Sequence, residues 1–167
     1  MLYNAFVVLH IVSAGAVVGL ILNAIIGTSF RKKVAGTPAE LGSIRMAAIM
    51  SPILVNIGAI GLLVSGVVMS ILQYNSSFFA FNTMPWLAMM QADFVVIMAI
   101  VGALIAPNGK KVLAMAETEL KIPMSGASDG LRKLVRKQYK LTMLVGLLTL
   151  LAIALGESKA MMWVTAQ

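Results

Sequence analysis

Residues 131–155 read LRKLVRKQYKLTMLVGLLTLLAIAL, five cations within ten residues and then fifteen residues without a charge. At ~1.5 Å per residue the apolar part covers about 23 Å, short of the ~30 Å hydrocarbon layer of a bilayer. The helix is therefore expected to run on through Glu157 and Lys159 to an aromatic anchor at Trp163, giving a span over 141–163. Three further apolar runs precede it, over 2–30, 46–72 and 85–106. Between them lie two basic segments, 31–45 and 107–140, which hold twelve of the thirteen Lys and Arg residues. The segment from Gln73 to Met84 carries no charge. Short loops rich in Lys and Arg stay in the cytoplasm, so this alternation places both basic loops inside and both termini outside.

The expectation is an all-α, four-span transmembrane bundle, one domain over 1–167, in the plasma membrane of a prokaryote. Composition agrees: 60 % of the 167 residues are hydrophobic, 11 % are charged, and the mean hydropathy is +0.95. The net charge of +7 follows from the inward loops, whose counter-ions are anionic lipid headgroups rather than nucleic acid. The first run has no basic residue before it and a basic flank after it, the reverse of a secretory signal, so it reads as a retained span. Pro107-Asn108-Gly109 is expected to end the third span. The stretch 110–121 reads as an amphipathic turn or two with Val112, Leu113 and Met115 toward the membrane.

The absence of Cys excludes disulfides, thiolate metal sites and Cys nucleophiles. No phosphate loop, nucleotide fingerprint, nucleophile elbow or metalloprotease motif occurs, so no catalytic activity of its own is expected.

In lipid, spans associate through small residues that permit close approach. Gly15, Gly19, Asn23 and Gly27 recur every four residues in the first span, Gly58 and Gly61 lie in the second, and Gly146 in the fourth. All are expected to pack helices. Asn56, four residues after Pro52, is expected to make an interhelical hydrogen bond. Offset by 88 residues, Phe6-Val7-Val8-Leu9-His10 matches Phe94-Val95-Val96-Ile97-Met98, and Gly58 matches Gly146, the pattern of a parallel duplication.

A polar group in the outer half is the candidate site. His10, Gln91, Asp93 and Glu157 each lie some five to seven residues, roughly 8–11 Å, inward of an aromatic anchor. Ionisable groups at that depth face a bundle interior. Asp93 is expected to accept from a His10 ring N–H. Met89 and Met90 lie nearby, and thioether with imidazole suits copper(I). A His10 and Met98 pair would suit haem b.

Leu9-His10-Ile11 followed by Gly15 and Gly19 resembles the first span of a broad group of small four-helix bacterial integral membrane proteins. More distantly it is similar to the copper-resistance D domain and the HemJ-type protoporphyrinogen oxidases. The resemblance to the latter implies haem binding at His10. The leading expectation is an accessory or structural subunit of a larger membrane complex, such as a respiratory or metal-dependent oxidase, joined to partner subunits or to its own copies. The alternatives are a haem- or copper-handling protein centred on His10, and a small proton-coupled transporter using Asp93 and Glu157.

Overall fold

In the computed structural model, the backbone is described for residues 1–74, 85–122 and 126–164, and side chains for 1–73, 86–122 and 126–152. The fold is helical: α1 (Leu2–Lys33), α2 (Pro38–Tyr74), α3 (Pro85–Ile100), a π-helical turn (Val101–Ile105), α4 (Ala106–Glu119) and α5 (Asp129–Val164). Three stretches, α1, α2 through Gln73, and Trp86–Glu119, are long and apolar enough to cross a membrane. The helix of α5 includes the expected outward extension, but the side chains of Glu157 and Trp163 lie outside the described residues.

The third span does not stop at Pro107. Proline lacks an N–H and its ring clashes with the preceding turn of an α-helix. Here the π turn lies just before it, with the Ala106 N–H bonded to the Val101 carbonyl five residues back. The wider turn accommodates Pro107, and the helix continues into α4. Nor do the apolar residues of α4 turn to the membrane. Val112 and Ala116 are buried against Leu41 and Ile44 of α2 and Leu131 of α5.

The helices follow an open path. α1 packs along α2 and also touches α5; α3 packs on α5; α4 packs on α2 and α5. Among the described residues α2 and α3 scarcely meet, so the bundle is C-shaped in section with its opening between them. The main link across it is Val55 against the cluster of Val101, Ile105 and Val145.

The α1–α2 pairing comes from close approach. A Cβ on Gly61 would overlap the Ser13 hydroxyl, and one on Gly58 would lie 2.7 Å from Val17 Cγ2 and 3.3 Å from the Ser13 carbonyl. Gly146 likewise receives Ile21 at 3.0 Å. Gly19 faces Leu54 of α2, which a Cβ there would meet at an ordinary 3.9 Å, whereas Gly15 has nothing within 4 Å among the described residues. Gly58 and Gly146 both meet α1, so the proposed duplication does not repeat this contact.

At the basic end the two loops form a knot. Gly36, at φ 81°, turns the chain between α1 and α2 in the left-handed region that glycine adopts without penalty. Gly126 lies directly on it: a Cβ there would be 2.6 Å from the Gly36 Cα. Glu40 binds the knot together. Its carboxylate accepts from Arg132 Nε at 3.0 Å, Arg132 Nη2 at 2.9 Å, the Gly36 N–H at 2.8 Å and the Ala127 N–H at 3.4 Å. The residue is 4 % exposed and precedes the apolar part of α2. The Arg132 guanidinium, with the backbone N–H groups of Gly36 and Ala127, holds its carboxyl below the usual glutamate range. Asn108, also buried, donates to the Leu134 carbonyl and to Gln138 Oε1, tying α4 to α5.

Candidate functional site

Two cavities lie inside the C. The outer one, about 230 Å³, is lined by His10 of α1, Gly66 of α2, Met90, Gln91 and Asp93 of α3 and Thr149 of α5, among apolar side chains. The inner one, about 410 Å³, includes Asn23 and Arg31 of α1, Asn56 of α2, Met98 of α3 and Gln138 and Tyr139 of α5. Leu20, Val55, Ala59 and Val101 belong to both walls, so the cavities meet at an apolar neck.

Helical spacing explains which residues face inward. His10, Ala14 and Val17 recur at intervals of four and three on α1. Met90, Asp93, Phe94, Ile97 and Val101 do so from α3 into the π turn. His10, Gln91 and Asp93 therefore converge on one cavity, as the sequence leads one to expect. Met98, one turn beyond Phe94, lies at the inner cavity instead, while Met89 is half exposed. Met90 is the methionine that shares the His10 cavity. Among the described residues no group of three or more His, Cys, Asp or Glu is assembled.

The hydrogen bond of His10 differs from the expected one. Its Nδ1 lies 2.9 Å from Ser65 Oγ on α2, not against Asp93. The reason is the α1–α2 seam: the glycines of α2 let α1 in so closely that Ser65 is the nearest partner of the ring. Proton bookkeeping then fixes the tautomer. Ser65 Oγ is 2.5 Å from the Gly61 carbonyl, which can only accept, so the single hydroxyl proton lies there. Nδ1 must therefore carry the hydrogen shared with Ser65, which leaves Nε2 with its lone pair free. Among the described residues, one oxygen of Asp93, Oδ2, is buried without a partner, and so is the Ser70 hydroxyl.

Asn56 also departs from expectation. It is exposed at the wall of the inner cavity near mid-span, and no hydrogen bond of its amide is found among the described residues. Gly27 serves neither α2 nor α5: its open face is filled by its own neighbour Arg31, whose Nη1 would be 3.0 Å from a Cβ there.

From the sequence, Ser65 reads only as one more small packing residue of the second span, and the structural roles of Arg31, Asn108 and Glu40 are not visible in it. The signal for Glu40 was a lone carboxylate in the basic segment 31–45; for Arg31 it was a glycine one turn earlier. Ser65 and Asn108 carried no local signal, since their partners lie 55 and 26 or more residues away. No family model matches the chain, nor does any curated protein or solved structure.

Proposed function

We propose that the chain is a four-span plasma-membrane subunit, with both termini outside, that serves as a non-catalytic part of a larger membrane assembly. The observation that carries this reading is the Asn56 amide. An unpaired amide in hydrocarbon is costly, and spans in lipid relieve that cost by bonding across to a neighbouring helix. Among the described residues Asn56 has no such neighbour. The open Gly15 of α1 adds a place where another span can approach closely. Site-specific photocrosslinking in the native membrane tests this reading. Crosslinkers at Asn56 and Gly15 should give discrete protein adducts, while one at the exposed Leu147 of α5 gives lipid adducts. Lipid adducts alone at all three positions would sink it. Because the chain has no Cys, single introduced cysteines at residues 33 and 120 report orientation directly, and both should label from the cytoplasm.

The His10 geometry supports a second reading, in which the outer cavity holds b-type haem or copper(I). Neutral imidazole with a free Nε2 and the Met90 thioether form a donor set that fits either. Ser65 would orient the ring, and the apolar walls would exclude water. When bound, haem or copper would supply one-electron chemistry. A visible spectrum with metal analysis on gently solubilised protein decides it. A Soret band or stoichiometric copper that His10→Ala abolishes is the expected result, and a colourless, metal-free sample removes the reading.

A further inference from the structure

The inner cavity has an apolar wall and a cationic end. At that end Arg31, Lys110, Gln138 and Tyr139 line it together. Arg31 occupies the last turn of α1, where a long basic side chain ordinarily reaches outward to headgroups and water. Here it lies back along its own helix instead. Nη2 donates to Thr28 Oγ1 at 3.0 Å, and Nη1 lies over the bare backbone of Gly27. A guanidinium has five N–H donors, and the bond to Thr28 is the one that Arg31 makes. Its nearest acidic neighbour, Glu40, is committed to Arg132, and no carboxylate is within ion-pair distance of Arg31 among the described residues. The arrangement is a forked cation, aimed into a cavity and lacking its anion. Lys32 and Lys33 beside it are exposed and have no such enclosure.

The rest of the cavity states what the anion is attached to. Its walls are Ala, Val, Ile and Leu over much of their length, and it lies between α2 and the stretch that runs from Met98 through the π turn into α4. A free anion would leave that apolar length unfilled, and an uncharged chain would leave the guanidinium unpaired. We propose that this cavity is a binding site for an anionic phospholipid of the leaflet at the basic end. Its phosphate oxygens sit on Arg31 in the two-pronged geometry a guanidinium offers. Lys110 adds a second positive charge, and an acyl chain lies along the apolar wall. Gly27 is part of the site because a Cβ there would lie 3.0 Å from Arg31 Nη1, and the guanidinium would have to give by a few tenths of an ångström. The inference concerns the inner cavity, which Asn56 also lines, and it rests on the membrane placement of the first reading, but the lipid readout below does not depend on a partner subunit.

The test uses the full chain in a neutral detergent, with native mass spectrometry reading bound lipid. Phosphatidylglycerol, phosphatidylcholine with the same acyl chains, and inorganic phosphate are the three probes. The unaltered protein should hold one phosphatidylglycerol in preference to phosphatidylcholine, and inorganic phosphate should not displace it. Arg31→Gln should weaken that binding by roughly tenfold or more, the scale of a lost charge-assisted hydrogen-bond pair. Lys32→Gln, an equal loss of charge one residue away, should change it by less than about twofold, as an exposed and screened cation would. Gly27→Ala keeps every charge and still weakens binding, which guards the result should Arg31→Gln fold poorly. Equal losses in Arg31→Gln and Lys32→Gln would overturn the proposal by showing only a diffuse basic collar. Equal affinity for phosphatidylcholine, or displacement by inorganic phosphate, would overturn it as well.

Discussion

The basic knot and the membrane bundle are held by opposite means. In the knot the polar groups are spent on structure: Glu40 accepts four hydrogen bonds, and Asn108 places its amide on two acceptors of α5. In the bundle the fit is mainly steric, through Ser13 and Val17 seated on Gly58 and Gly61 and Ile21 on Gly146, with the His10–Ser65 and Tyr3–Gln73 hydrogen bonds added along the α1–α2 seam. Polar groups of the apolar stretches are correspondingly unspent among the described residues: the Nε2 of His10, Oδ2 of Asp93 and the amide of Asn56. The difference separates architecture from chemistry. Where polarity is needed to hold helices together it is fully paired, so unpaired polarity elsewhere marks groups available to a ligand or partner.

The strongest way to break the comparison is Gly61→Ala. Its Cβ would overlap Ser13, so the α1–α2 seam must open, at about 3 kcal/mol, the upper end for overpacking. Reversible unfolding in mixed detergent would register the loss, and a cost under about 1 kcal/mol would mean the seam is not close-packed. Glu40→Ala attacks the other side. It strands the Gly36 and Ala127 N–H groups and should cost on the order of 2 kcal/mol. Proteolysis of the basic loops should accelerate, while the membrane helices keep their far-ultraviolet signal.

Acid sharpens the contrast. The folded pKa of Glu40 is lowered, so its contribution is complete above the ordinary glutamate range and is lost as pH falls through that range toward the lowered value. Loop protection should therefore be flat from neutral pH down to about 4.5 and decline below it. Glu40→Gln should remove most of that decline. The smallest effect belongs to Arg45→Ala. The Arg45–Glu117 pair spans 3.7 Å between half-exposed side chains, and its loss should change stability by less than about 0.5 kcal/mol.

The long apolar helices were legible because hydropathy is a local property of the chain. So was the convergence of His10, Gln91 and Asp93, since depth and helical spacing together leave few ways to bury three polar side chains. Rotation about each axis was not legible. Whether His10 meets Asp93 or Ser65 depends on how closely α1 enters the α2 glycine notch, and that is fixed by contacts 55 residues apart. Pro107 misled for a related reason: proline is a stop signal in an α-helix, and nothing local announces a π turn able to accommodate it. Glu40 was hidden by the 92 residues between it and Arg132.

The π turn has one more effect. Each residue advances an α-helix by about 100°, and a π turn acts as one residue inserted into that advance. Residues 101–105 thus set the angular phase between the membrane half of this long helix and its basic half. Removing one residue there would take away the turn that accommodates Pro107 and swing Asn108, Val112 and Ala116 by about 100°, off the surfaces of α2 and α5 that they now fill. A single deletion in lipid would in this way uncouple the knot from the bundle, although it touches no residue of either contact.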